Sequence, residues 1–362
     1  MVDSGFSFNE IDKKSEDFFK TVYRAFEKAS RSSQNSTDRY YRIGGYPICL
    51  RFADPALIPY ITPALDHMLC EAVSSPALTI CICDSLSTRT ALPFLGPLNE
   101  YLAYTHTRRY KDLKVYMHIE RGLAGASPIL NMLNTQTNVG IYWVRDVFKF
   151  PYHEIAAPLR VILHWWMLRH GRQIIHGGAV GLPEGGVIIA GKAGAGKSTT
   201  SLACLDSKLL HIGEDWVLLQ QKPKPMVCTL YNSAKLNHEH MSQRLPQLLP
   251  MVSNLENLDK EKAMIFLNKF YKHKIGDRVP LKAILLPYVT DLTVTEVKKV
   301  SPTAALAGLI PDTFYIDSFT GTNQESLENL HQLVQQVPAY ALQVGTDLAG
   351  ISGAILDLLA KI

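Results

Sequence analysis

The spacing of apolar residues changes along the chain, and each change predicts a different kind of structure. Over residues 8–29 apolar side chains recur at helical spacing, which predicts a helix near the start of the chain. The polar stretch over residues 30–38, SRSSQNSTD, is typical of a linker. From Tyr40 to Phe148 short apolar runs bounded by turn residues take over, and these predict strands.

The middle region is expected to form a small accessory domain. Its strands are predicted at residues 46–52, 78–83, 113–119 and 139–144. A helix is predicted between the first two strands, near residues 60–73. No constellation of catalytic side chains accompanies these elements. We therefore expect an α/β or α+β module that serves substrate recognition, oligomerisation or packing.

A new helical face begins beyond Pro151, where apolar residues within 159–167 follow i, i+3, i+4 spacing and Gly171 is the expected stop. Later strands are predicted at 173–181, 186–190, 208–212, 216–219, 227–231, 282–289 and 293–297, and later helices at 199–205, 302–310, 324–336 and 347–361. This alternation predicts an α/β domain of ordinary size. The expected parts are an N-terminal helix and linker over 1–38, the accessory domain over 39–150 and this α/β domain over 151–362.

The stretch over residues 186–200 carries the most specific motif of the chain. An apolar run that predicts a buried strand is followed by GKAGAGKS over residues 191–198, which fits G-x-x-x-x-G-K-[ST], and then by a predicted helix. Glycines let consecutive N–H groups converge on a phosphate, Lys197 is expected to reach the outer phosphates, and the Ser198 hydroxyl is expected to hold Mg²⁺. The expected nucleotide-binding residues are Gly191, Ala193, Gly194, Ala195, Gly196, Lys197, Ser198 and Thr199. A glycine-rich turn without a ligand is the alternative, and the strand and helix that flank the motif count against it.

Composition narrows the class of protein. With 47% hydrophobic and 19% charged residues the chain has the composition of an ordinary soluble protein. Its formal charge of +4 is too small to predict a nucleic-acid partner. The six cysteines include no C-x-x-C pair, which counts against a zinc or redox motif. No signal-peptide pattern and no apolar run of about 20 residues is found, so we expect a cytoplasmic protein without a membrane partner.

Two acidic residues and one histidine are the candidates for chemistry beside the loop. Glu214 and Asp215 lie where a predicted strand returns towards the phosphate site. Consecutive strand residues point to opposite sides, so in a regular strand only one of them would face the phosphates, and a solvated cap is the alternative. His176 lies on a strand predicted to neighbour the loop strand, where imidazole can pair with a carboxylate and tune its basicity. A histidine packed in the core is the alternative.

The run from Ile175 to Leu219 resembles the catalytic core of the HPr kinase/phosphorylase-like serine kinases, whose nucleotide domain is related to that of phosphoenolpyruvate carboxykinase. The resemblance implies a P-loop domain of this type, preceded by a smaller α/β or α+β domain. By position it assigns the family's histidine, its catalytic aspartate and its second aspartate to His176, Glu214 and Asp215. It likewise assigns the loop lysine to Lys197 and the Mg²⁺-binding hydroxyl to Ser198, with Asp215 supporting the metal directly or through water.

The chain also departs from that family. Glu214 replaces an aspartate and so moves the carboxylate outward by one methylene. The Arg-Gly-x-Gly signature that follows the acidic pair in true HPr kinase/phosphorylases is absent, and ERGLAG over residues 120–125 precedes the loop and is a coincidence. HPr as a substrate and the reverse phosphorolysis are therefore not expected. The stretch CTLYNSAKLN over residues 228–237 is similar to a segment of the lasso-peptide kinases.

The sequence therefore predicts an ATP-dependent, Mg²⁺-dependent kinase that phosphorylates a hydroxyl, foremost a serine of a peptide or small protein. Phosphorylation of free serine or another small molecule is one alternative, and a nucleotide-binding regulatory protein without transfer activity is another. Relatives with HPr activity form hexamers, so a homo-oligomer is left open. The basic stretches over residues 269–274 and 298–299 are candidates to dock an acidic acceptor, with solvated surface as the alternative.

Overall fold

The computed structural model describes residues 15–93, 108–110, 112–122 and 125–362. Contacts between these residues divide the chain into two compact units. The first runs to Trp166 and includes Phe319–Gly321, and the second holds Met167–Ser318 and Thr322–Ile362. This division follows contacts alone, so the functional division into 1–38, 39–150 and 151–362 stays a prediction.

The described residues form a mixed α/β architecture. The helices are α1 Ser15–Ser33, α2 Ile58–Ile61, α3 Ser85–Thr88, α4 Tyr152–Ala156, α5 Arg160–Arg169, α6 Lys197–Ala203, α7 His238–Arg244, α8 Pro302–Thr320, α9 Asn323–Gln336 and α10 Ala349–Leu359. Among the helices of residues 15–93 and 125–362, none has both the length and the apolar character that a membrane span requires.

The strands of the first unit form one sheet in the order β3-β1-β2-β4-β8-β7-β6-β5. Their bounds are β1 Thr37–Ile43, β2 Tyr46–Phe52, β3 Leu69–Cys70, β4 Leu78–Asp84, β5 Arg108–Tyr110, β6 Leu113–Gly122, β7 Gly125–Asn134 and β8 Val139–Val144. Helix α1 buries its apolar stripe, including Phe18, Val22 and Phe26, against Cys81 and Trp143 of this sheet. The predicted N-terminal helix is confirmed over the described residues, and residues 8–14 of that prediction lie outside them.

Two predictions for the first unit are wrong. No continuous helix covers residues 60–73, where helix α2 ends at Ile61, a 3₁₀ turn spans Asp66–Met68 and β3 follows. Pro63 lies just beyond α2, and within a longer helix a proline lacks the backbone donor and its ring clashes with the carbonyl four residues before it. The linker is also shorter than predicted, because α1 extends to Ser33 and β1 begins at Thr37. In the ERGLAG stretch, residues 123 and 124 lie outside the described residues.

The second unit is built on a larger sheet with the order β12-β10-β11-β17-β14-β13-β9, to which β19 and β18 are added along β17. Its strands are β9 Arg172–His176, β10 Gly178–Leu182, β11 Gly185–Ile189, β12 Leu210–Gly213, β13 Trp216–Gln220, β14 Met226–Cys228, β17 Arg278–Val289, β18 Glu296–Val300 and β19 Ala339–Val344. A separate two-stranded sheet pairs β15 Ser233–Leu236 with β16 Ala263–Phe266. Neither strand of that pair was predicted.

Strand β11 is buried on both faces. Ile188 packs in a cluster with residues of α8 and α9, whereas Val187 and Ile189 pack in a cluster with residues of α10. Strands β11, β17 and β19 are parallel, so their carboxyl ends share one edge of the sheet. In open α/β sheets this edge is where ligands bind, and the glycine-rich loop begins there.

The strand predicted over residues 173–181 is in fact two strands, β9 and β10, separated at Gly177. A Cβ on Gly177 would lie 2.7 Å from the carbonyl oxygen of Ile189, so the residue must be glycine for this crossing. Strand β10 pairs with β11, but β9 pairs with β13. The prediction that His176 lies on the strand beside the loop strand is therefore wrong.

Candidate functional site

The glycine-rich loop joins the end of β11 to the start of α6. Gly191, Gly194 and Gly196 have φ angles of 146°, 80° and 102°, a region that residues with a Cβ rarely adopt. The Nζ of Lys197 donates to the carbonyl oxygens of Gly191, at 2.6 Å, and of Lys192, at 3.2 Å. The ammonium group is thus held over the loop by these carbonyls.

A pocket of about 340 Å³ opens beside this loop. Six of the expected nucleotide-binding residues line it, namely Ala193, Gly194, Gly196, Lys197, Ser198 and Thr199. Gly191 and Ala195 belong to the same loop but do not line the pocket. The three candidates for chemistry, His176, Glu214 and Asp215, line it as well. Residues from separate parts of the chain therefore meet at one cavity.

The acidic pair lies at a bend and outside any regular strand. Strand β12 ends at Gly213 and β13 begins at Trp216, so Glu214 and Asp215 form the connection. A Cβ on Gly213, the last residue of β12, would lie 2.7 Å from the side chain of Val217, which favours glycine just before the bend. Alternation of side chains holds only within a strand, and the bend lets both carboxylates line the same pocket.

Glu214 is a buried carboxyl group with two hydrogen-bond donors. Only 2% of the residue is exposed, which excludes a solvated cap for this residue. Its Oε2 accepts a hydrogen bond of 2.9 Å from the backbone N–H of Lys235, and the Ser198 hydroxyl donates to the same carboxylate. Burial and, after it, the charge of Asp215 raise the pKa of Glu214 to about 7, against the opposing effect of both hydrogen bonds.

Asp215 is held between two nitrogen groups. The Nε2 of His176 donates to its Oδ1 at 3.0 Å, and the Nζ of Lys235 lies 2.9 Å from its Oδ2. Burial alone would raise the pKa of Asp215, but Lys235 and then His176 hold that pKa well below its usual range. The imidazole also stacks on Trp216, with ring centroids 4.4 Å apart, which fixes its orientation.

Lys235 is a site residue to which the sequence analysis assigned no role. It is the third residue of β15, and it contacts Glu214 through its backbone and Asp215 through its side chain. Lys235 lies on the separate two-stranded sheet, so no sequence motif relates its position to those of the other site residues. The similarity of residues 228–237 to a kinase segment was the one sequence signal that included it.

The oxygen groups present fit a magnesium ion only in part. Mg²⁺ prefers oxygen ligands and commonly keeps water and phosphate oxygens in its shell. The Ser198 hydroxyl and the Glu214 carboxylate lie together and suit that chemistry. Both Asp215 oxygens instead have nitrogen partners. In the described ranges no group of three or more His, Cys, Asp or Glu side chains is placed to hold a metal ion.

Comparison with known proteins gives a limited result. No family model matches the chain, and no curated protein matches it. Among solved structures, the chain is similar to the Hpr(Ser) kinase/phosphatase from Coxiella burnetii, with a TM-score of 0.30 and 12% identity. The similarity covers 52% of this chain and 97% of that one. The fold and the site thus define a mixed α/β protein whose glycine-rich loop, acidic pair, histidine and lysine share a pocket.

Proposed function

We propose that the chain is an ATP-dependent kinase that transfers the γ-phosphate to a hydroxyl, foremost a serine of a peptide or small protein. One observation carries the proposal: the Ser198 hydroxyl of the phosphate loop is hydrogen-bonded to a buried carboxylate, Glu214, whose pKa is raised to about 7. A phosphate-binding loop and a group suited to accept a proton near neutral pH therefore meet in one pocket.

The loop side of the pocket would bind the nucleotide. Its backbone N–H groups suit the β- and γ-phosphates, and Lys197 would exchange its carbonyl partners for phosphate oxygens. Bound Mg²⁺ would supply charge neutralisation between these phosphates, with Ser198 as the loop group that would hold it. Such contacts would be expected of a P-loop domain of the type that the resemblance to HPr kinases and phosphoenolpyruvate carboxykinases implies.

The acidic side of the pocket would handle the acceptor. Glu214 would orient the incoming hydroxyl and receive its proton, and Asp215 would keep its charge because Lys235 and His176 stabilise it. His176 would act as a positioning residue for Asp215. We also propose that Asp215 supports the metal ion, directly or through water. Most of the rate gain would come from positioning and charge neutralisation, and a smaller part from the base.

The position of Glu214 favours transfer over a purely regulatory role. A carboxylate beside the loop hydroxyl suits Mg²⁺ binding in nucleotide sensors and in kinases alike, but transfer to a hydroxyl also needs a group that accepts a proton. Glu214, whose pKa is raised to about 7 beside Ser198, suits that second task.

Nucleotide binding and transfer can be tested together. Labelled ATP with Mg²⁺ is offered to the protein with serine peptides and free serine, and Lys197→Ala is compared with Lys192→Ala. Lys192 is an exposed lysine of the same loop that does not line the pocket. We expect Lys197→Ala to abolish ATP binding and transfer and Lys192→Ala to retain both. Equal behaviour of the two variants, or no labelling of any acceptor, would contradict the proposal.

A further inference from the structure

The pocket has a second charged wall, on the side of β15, β16 and α7. Arg244, Lys262, His240 and Asn237 line it there. Strand β15 pairs with β16 in the register Leu236↔Ala263. The next pair of positions is Asn237 and Lys262, so both residues lie beside the strand pair that carries Lys235. Helix α7 then starts after Asn237. The wall therefore adjoins Lys235, whose side chain contacts Asp215 of the acidic pair.

Arg244 and Lys262, the cations of this wall, have no carboxylate partner among the described residues. Arg244 and Lys262 form no ion pair with a carboxylate within residues 125–362, although Glu239 and Glu261 are close in sequence. Glu261 instead accepts a hydrogen bond from Asn254. Unpaired cations that line a pocket attract an anion. Because this wall is open to water, the free-energy penalty of leaving the two cations unpaired is smaller than it would be in the core.

The amide of Asn237 and the imidazole of His240 add donors to the wall. Asn237 Oδ1 caps helix α7 by accepting from the His240 N–H at 3.2 Å, so the group that Asn237 can offer a ligand is its NH₂. His240 and Arg244 are four residues apart on α7 and lie on one face of it. Donors thus outnumber acceptors on this wall, which is the arrangement that binds a carboxylate.

The other basic stretches of the chain are less suited to bind an acceptor, because several of their lysines have partners in the protein and lie outside the pocket. Within residues 269–274, Lys269 lies over the Phe266 ring and Lys274 donates to the carbonyl oxygen of Ser207. Lys298 pairs with Glu296 at 2.9 Å. None of these lysines lines the pocket. The predicted docking role of 269–274 and 298–299 is therefore less well supported than one for Arg244 and Lys262.

We propose that Arg244 and Lys262, aided by Asn237, form a subsite for a carboxylate that lies close to the acceptor hydroxyl, so that the kinase selects acidic acceptors. This inference rests on the proposed function, because it assigns the loop to the nucleotide and the wall of Arg244 and Lys262 to the acceptor. Two sources supply such a carboxylate: the α-carboxylate of free serine and the acidic side chains beside a serine in a peptide.

The test uses matched acceptors. Two hexapeptides carry one serine flanked by two aspartates or by two asparagines, and free serine is paired with its amide. Their kcat/KM values for phosphate transfer are measured with wild type, Arg244→Gln, Lys262→Gln and the control Lys272→Gln, an exposed lysine outside the pocket. Calorimetry with a non-hydrolysable ATP analogue and Mg²⁺ measures binding of the same acceptors without transfer.

We expect wild type to prefer the acid member of one pair by about tenfold, and each of the two pocket variants to lose most of that preference while keeping its affinity for the ATP analogue. The pair that shows the preference identifies the source of the carboxylate. Equal use of both members of both pairs, or loss of nucleotide affinity with an unchanged preference, overturns the subsite. Acid-selective binding that depends on Arg244 and Lys262 without any transfer supports the subsite and contradicts the kinase, so the two proposals fail separately.

Discussion

The ammonium group of Lys235 lies 2.9 Å from Asp215 Oδ2, and 14% of the lysine side chain is exposed. Removing this cation leaves the buried carboxylate of Asp215 paired with His176, and breaking a buried ion pair is costly. We expect Lys235→Met to lower the free energy of unfolding by about 3 kcal/mol, as measured by urea denaturation at neutral pH.

The exposed pair Lys298–Glu296 is the matched control, because its N–O distance is also 2.9 Å but its side chains are 65% and 50% exposed. We expect Lys298→Met to leave stability unchanged within error, since exposed pairs contribute little. Equal effects of the two substitutions would show that burial of the Lys235–Asp215 pair has no energetic consequence.

The buried carboxyl of Glu214 should make stability depend on pH. Its pKa is raised from 4.5 to about 7, so between these values the folded protein binds more protons than the unfolded chain and stability falls as pH rises. Glutamine cannot ionise, so we expect Glu214→Gln to gain stability relative to wild type across this window. Melting temperatures in chelator-containing buffer measure the effect. Glu184→Gln, at an exposed turn, is expected to show no such trend, and a flat difference for Glu214→Gln would contradict the raised pKa.

His211 should make stability depend on pH in the opposite direction. The residue is 2% exposed, neither ring nitrogen has a hydrogen-bond partner among the described residues, and burial lowers its pKa from 6.5 to about 4. The unfolded chain therefore binds more protons in that interval, and stability is lost as pH falls through it. We expect His211→Leu to reduce this acid sensitivity in thermal melts. The exposed His331→Gln is the control, and an unchanged acid response of His211→Leu would refute the argument.

Gly177 marks the crossing that brings His176 to Asp215. A Cβ there would lie 2.7 Å from the Ile189 carbonyl oxygen, and backbone cannot give way cheaply. We expect Gly177→Ala to destabilise the protein by about 2 kcal/mol. Gly353 in α10 has nothing within 4 Å of its Cβ position, so Gly353→Ala should stabilise by about 0.5 kcal/mol. Chemical denaturation distinguishes the two, and destabilisation of equal size at both positions would count against a local clash at Gly177.

The sequence predicted the parts of the site that depend on local patterns. The loop over residues 191–198 follows the apolar strand β11 and precedes α6, as expected, because glycine spacing and periodicity are local signals. The helix predicted at 60–73 failed at a proline. The strand predicted over 173–181 failed at Gly177, whose close approach to Ile189 arises only when the sheet is assembled.

The contacts within the site were harder to predict, because they join distant residues. Glu214 and Asp215 share a pocket only because the chain bends between β12 and β13. Lys235 reaches both from a two-stranded sheet that periodicity did not reveal. Arg244 and Lys262 are ordinary charges in the sequence, and helix α7 and the pairing of β15 with β16, respectively, bring them to the pocket. Contacts between residues that are far apart in the sequence therefore determine which side chains form the site, and local sequence patterns do not reveal those contacts.

The proposed role of Glu214 is the claim on which the account depends most. A single-turnover measurement of phosphate transfer compares wild type, Glu214→Gln and Glu184→Gln, with binding of a non-hydrolysable ATP analogue measured in parallel. We expect Glu214→Gln to slow transfer by about a hundredfold or more while nucleotide affinity changes by less than about threefold, and Glu184→Gln to match wild type. Transfer by Glu214→Gln at the wild-type rate would contradict the account.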